Sequence, residues 1–101
     1  MRVLRMTLKR RWFDLIASGK KKEEYREIKP YWRSRLFNKD GSVKQYDLVE
    51  FKNGYNRNSP TVTLDWRGVR IGQGLTVLGA PKDKNIFIIE LGSIAAIRNY
   101  E

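Results

Sequence analysis

The sequence predicts a mainly β protein of the α+β class, a small β-barrel of five to six strands with one short N-terminal helix plugging one end. Several short segments alternate apolar and polar side chains with the period of two residues that is typical of strands. One segment near the start has helical spacing instead. With 101 residues, we expect a single domain over residues 1–101. Closing its sheet, or curving it strongly, removes exposed strand edges.

The first strand and the helix are predicted within the first 18 residues. Leu4, Met6 and Leu8 share one parity, which indicates a strand with one face on a core. Residues 10–18 then place their apolar side chains at helical spacing, so we expect a helix of about two turns. Gly19 follows where a left-handed residue would end that helix.

Four further strands are predicted after the helix, over residues 20–28, 46–53, 61–71 and 85–91. The segments between them are a loop with one helical turn, a tight turn and two longer loops, at residues 29–37, 38–41, 54–60 and 72–84. The last predicted strand is the most apolar, so we expect it to be buried on both faces. Residues 92–101 are predicted to be a short tail.

A bulge is predicted in the long strand at Gly68. The apolar residues before Gly68 share one parity and those after it share the other. One extra residue switches the faces of a strand, and glycine tolerates the backbone this requires.

The composition excludes several kinds of chemistry. The chain has no Cys and no His, which excludes disulfides, thiol nucleophiles, the usual zinc ligand sets and Ser-His or Cys-His catalysis. We therefore expect no metal and no cofactor, and any catalysis must use Lys, Glu, Asp, Tyr, Ser or Thr. No apolar run approaches the roughly 20 residues of a membrane span, so we expect a soluble, cytoplasmic protein without a membrane partner.

The net charge of +10 makes a polyanion the leading candidate partner, because phosphates that are neutralised release counterions. The charge is concentrated, since residues 1–35 hold twelve Lys or Arg and only four Asp or Glu. Two alternatives remain open. One is that the charge serves solubility alone. The other is that it faces an acidic membrane surface, although no basic amphipathic helix of useful length is predicted.

A candidate anion site lies at the start of the helix, where Lys9, Arg10 and Arg11 crowd its N-terminus. Acidic side chains are the stabilising choice at that end of the helix dipole. A helix N-terminus with three cations is suited to an anion. The alternative is three solvated charges on a loop.

The residues after the helix contain the pattern Gly-x-Lys-x-x-Glu-x-Arg, at Gly19, Lys21, Glu24 and Arg26. In an extended strand Glu24 and Arg26 lie on one face, where they form a charge pair or act together on a ligand. Lys21 has the opposite parity, so it joins them only if it lies in the turn before the strand. The alternative is that the pair merely braces the barrel beside a solvated run of lysines.

This pattern resembles the signature of the ASCH family, residue for residue at the same four positions. The resemblance is strongest over residues 4–28 and extends more loosely to Phe51–Tyr55 and to the apolar strand containing Glu90. Small stand-alone members occur in bacteria and their phages. The family is related to PUA domains, which implies a PUA-like β-barrel whose cleft accommodates RNA or a nucleoside.

The resemblance also implies an enzyme as the alternative function. Some members are amidohydrolases that remove an acyl group from modified cytidines with a Lys, a Thr and a Glu, and similarity to them makes Lys21 and Glu24 the candidate catalytic residues. The position of their Thr nucleophile is Glu24 here. A carboxylate that activates water, with Lys21 stabilising an oxyanion, is one alternative. Cleavage of RNA by Lys21, Tyr55 and Ser59 is another.

Aromatic and cationic residues are interleaved around the motif, a combination that suits unpaired bases and a phosphate backbone. The candidate nucleic-acid-binding residues are Lys20, Lys21, Lys22, Glu24, Arg26, Tyr31, Trp32, Arg33, Arg35, Tyr55 and Arg57. Trp32 is equally suited to the core, whereas Tyr55 in its polar loop is the better candidate for an exposed aromatic. Trp12 and Trp66 are predicted to be core residues.

The sequence therefore predicts a nucleic-acid-binding module, RNA before DNA, with a basic cleft at the motif. A small hydrolase acting on a modified nucleoside or on RNA is the alternative. A protein-interaction module is favoured only if the basic surface is scattered. The oligomeric state is not indicated by these residues.

Overall fold

The computed structural model describes residues 1–100, which form five strands, two α-helices and one short 3-10 helix. The strands are β1 (Val3–Thr7), β2 (Glu23–Arg26), β3 (Leu48–Lys52), β4 (Thr61–Gly72) and β5 (Ile86–Arg98). The helices are α1 (Arg10–Ala17) and α2 (Pro30–Leu36), and the 3-10 helix spans Thr76–Leu78.

The strands form one sheet in the order β1-β3-β4-β5-β2. β1 pairs with β3 in parallel, and the other neighbours are antiparallel. The sheet curls into a half-barrel whose two edges are β1 and β2. We call the opening between these edges the seam. The prediction of a mainly β protein with a strongly curved sheet is confirmed, and the sheet has five strands where five to six were predicted.

The curl comes from the two longest strands, β4 and β5, whose pairing shifts register three times. One shift lies between Trp66 and Val69, and Gly68 between them has a φ of +111°. The predicted bulge at Gly68 is therefore confirmed. Bulges bend a strand and increase its twist. Three of them curve β4 and β5, so that this one pair of strands runs through both halves of the curled sheet.

The main hydrophobic core lies on the inner face of the curled sheet. It contains Phe13 and Ile16 of α1 and Leu36 of α2, packed on residues from four strands: Leu4, Met6, Val49, Phe51, Val62, Leu64, Phe87, Ile89 and Leu91. The predicted parity of β1 is confirmed, since Leu4 and Met6 are buried. Trp12 and Trp66 pack against this core as partly buried side chains.

A second, smaller cluster covers the opposite face of β5. It consists of Tyr25, Ala80, Ile86 and Ile88, with Leu78 packed against it. Both faces of β5 are thus buried between Ile86 and Ile89, as predicted for this segment. The cover is the segment of residues 73–81, which we call the outer loop.

Three predicted elements differ from the structure. The segment predicted as a loop with one helical turn is the seven-residue helix α2. Residues 92–98, predicted as a tail, extend β5 and pair with the first half of β4, while Glu101 lies outside the described residues. The strand predicted at 20–28 is shorter, since β2 spans only Glu23–Arg26.

Candidate functional site

The turn between α1 and β2 places the motif. Helix α1 ends at Ala17, and Gly19 has a φ of +82°, the left-handed conformation that glycine adopts without a steric penalty. The backbone N–H of Lys21 then donates to the carbonyl of Leu15 at 3.0 Å. Lys21 therefore lies in the turn before regular pairing begins, as the sequence required if it was to join Glu24 and Arg26.

Lys21 is buried, with 2% of its surface exposed. Its Nζ lies 2.9 Å from Glu24 Oε1 and donates to the carbonyl oxygen of Leu78 at 2.7 Å. The same atom lies 4.5 Å from the ring centre of Trp12 and 5.0 Å from that of Tyr25. A carboxylate, a carbonyl and two aromatic faces form an environment that suits a cation.

Glu24 is buried between two cations. Its Oε1 faces Lys21, and its Oε2 lies 3.0 Å from Nη1 of Arg26. Only 4% of the Glu24 side chain is exposed. Burying a carboxylate is costly unless it is paired and hydrogen-bonded, and Glu24 has a cationic partner on each oxygen.

Arg26 bridges the seam between β1 and β2. Its Nη2 donates to the carbonyl of Thr7 on β1 at 3.2 Å, and its Nη1 donates to the carbonyl of Tyr25 on β2 at 3.3 Å. The guanidinium also lies 5.0 Å from the ring centre of Trp32. Arg26 Nε is buried without a hydrogen-bond partner among the described residues. One side chain thus joins two strand edges that share no backbone pairing.

Helix α2 spans the same seam from the outside. Arg35 donates from Nη2 to the carbonyl of Arg5 on β1 at 3.1 Å and from Nη1 to the hydroxyl of Tyr31 at 3.1 Å. Tyr31 meets Trp32 edge to face, with ring centres 5.0 Å apart. The aromatic pair is therefore held beside the seam by contacts with Arg26 and Arg35.

A cavity of about 690 Å³ opens at the seam, and we call it the seam cavity. It is lined by Thr7, Leu8, Lys9, Trp12, Glu24, Arg26, Trp32, Asn53, Gly54 and Tyr55. Its chemistry combines a buried carboxylate, a guanidinium and aromatic rings, with Lys9 also among its lining residues. Cavities of this size hold small organic ligands.

The structure brings together only some of the predicted binding residues. Glu24, Arg26, Trp32 and Tyr55 line the seam cavity, and Lys21 supports Glu24 without being part of the lining. Tyr31 lines a neighbouring cavity of about 490 Å³. Tyr55 is 90% exposed, which agrees with its prediction as the exposed aromatic.

The other predicted binding residues lie apart from the seam cavity. Lys20 and Lys22 are exposed, and Lys22 borders a separate cavity beside β5. Arg33 is exposed with its guanidinium 5.4 Å from the ring centre of Phe87. Arg57 is exposed in the polar loop after Tyr55.

The predicted anion site at the start of α1 is divided. Lys9 is the N-cap, makes no side-chain capping bond and lines the seam cavity. Arg10 pairs with Asp14 at 2.9 Å, and the Arg11 guanidinium lies 4.7 Å from the ring centre of Trp12. Of these three cations, only Lys9 lines the cavity.

Sequence reasoning missed three residues of the cavity wall, Thr7, Asn53 and Gly54, and assigned two others, Leu8 and Trp12, to the core. Asn53 donates from Nδ2 to the carbonyl of Leu8 at 2.9 Å, which joins the end of β3 to the end of β1. Thr7 contributes its carbonyl oxygen, which no side-chain pattern reveals. Trp12 packs against the core as predicted but also lines the cavity. The sequence signal for Asn53 is the Asn53-Gly54 pair, which is typical of a turn.

The three residues considered for cleavage of RNA do not line one cavity. Tyr55 lines the seam cavity, whereas Lys21 and Ser59 do not. Ser59 is buried, and its Oγ accepts the backbone N–H of Asn56 at 3.0 Å. Its hydroxyl therefore serves to close the polar loop.

Tyr25 connects the site to the outer loop. Its hydroxyl donates to Glu23 Oε1 at 2.6 Å and accepts the backbone N–H of Leu75 at 3.1 Å. Burial, followed by the hydrogen bond to Glu23, raises the pKa of Tyr25 to about 12. This contact anchors the loop that supplies the Leu78 carbonyl to Lys21.

No protein-family model, curated protein or solved structure matches this chain. Within residues 1–100, no helix is long and apolar enough to cross a membrane. The same residues contain no group of three or more His, Cys, Asp or Glu side chains placed to hold a metal ion.

Proposed function

We propose that this protein binds nucleic acid, with RNA as the first candidate, in the seam cavity, and that it is a PUA-like module of the ASCH family. One observation carries the proposal. Glu24 and Arg26, supported from below by buried Lys21, line a cavity whose other lining residues include the aromatic side chains Trp12, Trp32 and Tyr55.

The paired carboxylate and guanidinium suit the polar edge of a base. A carboxylate accepts hydrogen bonds from amino groups, and a guanidinium donates to carbonyl and ring-nitrogen acceptors. Because Glu24 is held on both sides by cations, its position is fixed before any ligand binds. Such preorganisation reduces the entropy that binding costs.

The aromatic side chains provide the complementary surface. Bases that are not paired stack on Trp and Tyr rings, and this contact tolerates any sequence. Lys9 places a cation at the same cavity, and the net charge of +10 attracts a phosphate backbone to the molecule as a whole.

Binding is tested with fluorescently labelled RNA and DNA oligonucleotides at low salt. We expect affinity that falls as salt rises, and we expect Tyr55→Ala to weaken it by about fivefold or more, the effect of losing one stacked base. Ile71→Ala is the matched control, because Ile71 is also exposed and apolar but lies on β4 and does not line the seam cavity. A lack of affinity for either type of oligonucleotide would show that the proposal is wrong.

A second candidate function, hydrolysis of a modified nucleoside, rests on Glu24 as a carboxylate at the cavity. Two observations weigh against it as first choice. Both Glu24 oxygens are engaged by cations, and Lys21 is buried behind the lining. An assay with acylated nucleosides decides between the two functions, and turnover that persists in Lys21→Ala would exclude this lysine as the catalytic group.

A further inference from the structure

Beside the seam cavity lies the cavity of about 490 Å³, which we call the adjoining cavity. Thr7, Arg26 and Trp32 line both. The adjoining cavity lies along residues 5–7 and 50–52, and the seam cavity lies along residues 7–9 and 53–55. Since β1 and β3 run parallel, the two cavities follow each other along both strands and form one groove.

The groove is long enough for more than one nucleotide. It runs along residues 5–9, which are the second half of β1 and the two residues after it, and an extended chain rises about 3.3 Å per residue, so this stretch spans about 13 Å. A single base occupies only part of that length. Trp32 stands where the two cavities meet, because it lines both of them.

The two cavities repeat the same chemistry. The seam cavity is lined by Tyr55, which is 90% exposed, and by Lys9. The adjoining cavity is lined by Tyr31, which is 59% exposed, and by Lys52. Within residues 1–100 neither lysine forms an ion pair. An aromatic face and an unpaired cation therefore occur twice along one groove.

The acidic residue in the adjoining cavity does not oppose a phosphate there. Glu50 lines this cavity, but its carboxylate lies 3.2 Å from Arg5 Nε and 3.3 Å from Arg98 Nη2. Two guanidinium groups thus offset one carboxylate, and Lys52 adds a further positive charge. The cavity as a whole is cationic.

We propose that the ligand is a single-stranded chain of at least two consecutive nucleotides, with one base at Tyr55 in the seam cavity and the next at Tyr31 in the adjoining cavity. This inference rests on the proposed function. Lys9 and Lys52 contact successive phosphates, and Trp32 separates the two bases. The repeated pair of aromatic and cation matches the repeat of a polynucleotide, whereas a lone nucleoside uses only one half of the groove. A duplex does not bind this way, because its bases are stacked on each other.

The experiment measures how affinity depends on ligand length. Nucleoside monophosphates, dinucleotides and tetranucleotides, as both ribose and deoxyribose forms, are titrated at low salt by isothermal calorimetry. We expect the dinucleotide to bind at least about fivefold more tightly than the monophosphate, the contribution of one further stacked base. The ribose and deoxyribose series show which nucleic acid is preferred.

Variants locate the second nucleotide. Lys52→Ala and Tyr31→Ala are each expected to remove most of the gain from monophosphate to dinucleotide, where the gain is the ratio of the two affinities within the same variant. Urea unfolding shows that the variants are folded. Lys39→Ala is the matched control for charge, since Lys39 is exposed in the turn after α2 and lines neither cavity.

Two results would overturn the inference and differ in what else they affect. If the monophosphate and dinucleotide bind with equal affinity, or if both variants keep the gain, the inference of two consecutive nucleotides in the groove is wrong. Binding in the seam cavity still stands. If no nucleotide or oligonucleotide binds at low salt, both the groove and the proposed function are wrong.

Discussion

The site depends on Glu24, because its carboxylate is the anion that pairs with both Lys21 and Arg26. Its carboxylate lies 2.9 Å from Lys21 and 3.0 Å from Arg26. Buried charges are tolerated when their partners are in place and are costly when one partner is removed. The two cations differ in their need for Glu24, since Arg26 also holds two carbonyls and is partly exposed.

Glu24→Gln is expected to destabilise the protein by about 3–5 kcal/mol, the usual cost of breaking a buried ion pair. The substitution preserves shape but leaves Lys21 buried without a counter-charge. Lys21→Met is expected to cost less, because Glu24 keeps Arg26 as a partner. Urea unfolding measures both free energies.

Lys20→Met is the control for the two variants, because Lys20 is exposed beside the motif. Its substitution should change the free energy of unfolding by no more than about 0.5 kcal/mol. If Glu24→Gln cost no more than this control, the Lys21–Glu24–Arg26 group would not be the structural centre that its geometry indicates.

The element that positions this group is the turn joining α1 to β2. Gly19 has a φ of +82° with no atom within 4 Å of the position where a Cβ would stand. A side chain there meets backbone strain without a clash. A substitution at Gly19 therefore changes the backbone preference of the turn without creating a clash. It tests how the turn positions Lys21.

Gly19→Ala is expected to destabilise the protein by about 1–2 kcal/mol, the cost of a left-handed residue with a Cβ. Gly41→Ala is the matched control, since Gly41 has a φ of +88° and equally open surroundings but lies in the turn after α2. Both variants should lose similar stability in thermal unfolding. Only Gly19→Ala should weaken oligonucleotide binding, because it shifts Lys21. If both variants lost the same affinity, the turn would not be the element that positions the site.

The outer loop is the second element that supports the site, and Tyr25 makes its contribution dependent on pH. The pKa of Tyr25 is raised to about 12 in the folded protein, against about 10 for a free tyrosine. The neutral hydroxyl therefore stabilises the fold fully below pH 10, and this stabilisation is lost as the pH rises through 12.

Tyr25→Phe tests this dependence. The free-energy difference between the natural protein and Tyr25→Phe, measured by urea unfolding, should be constant up to about pH 10 and then shrink as the pH rises toward 12. Groups common to both proteins cancel in the difference. A difference that stayed constant to pH 11.5 would contradict the role of the Tyr25 hydroxyl.

For the whole molecule, the net charge of +10 has opposite effects on stability and on binding. Like charges repel one another within the fold, and salt screens this repulsion because the Debye length falls from about 10 Å at 0.1 M to about 3 Å at 1 M. Screening equally weakens attraction to phosphates.

Sodium chloride is therefore expected to raise the melting temperature and to lower the affinity for single-stranded oligonucleotides. Each neutralised phosphate contributes about −0.7 to the slope of log K against log salt, so contacts at Lys9 and Lys52 predict a slope near −1.4. Differential scanning fluorimetry and binding titrations measure the two effects. Affinity that is independent of salt would show that phosphates contribute nothing.

Local sequence patterns determined much of this protein. The parity of Leu4 and Met6, the helical spacing before Gly19 and the change of parity at Gly68 each predicted an element that the structure contains. These features depend on neighbouring residues alone, since a strand or helix records in its own periodicity which face is buried. The motif also placed Glu24 and Arg26 on one short strand.

Only the tertiary structure decided the rest. Lys21 is fixed by the carbonyl of Leu78, 57 residues away, and Arg26 by the carbonyl of Thr7 across the seam. Helix α2 buries fully only Leu36, and the apolar residues 94–97 of β5 are exposed in one run without alternation, so neither segment shows the periodicity of its element. Backbone carbonyls and long-range pairing leave no trace in side-chain periodicity. The sequence therefore predicted the local elements and the motif, and the folded chain decided which residues line one cavity.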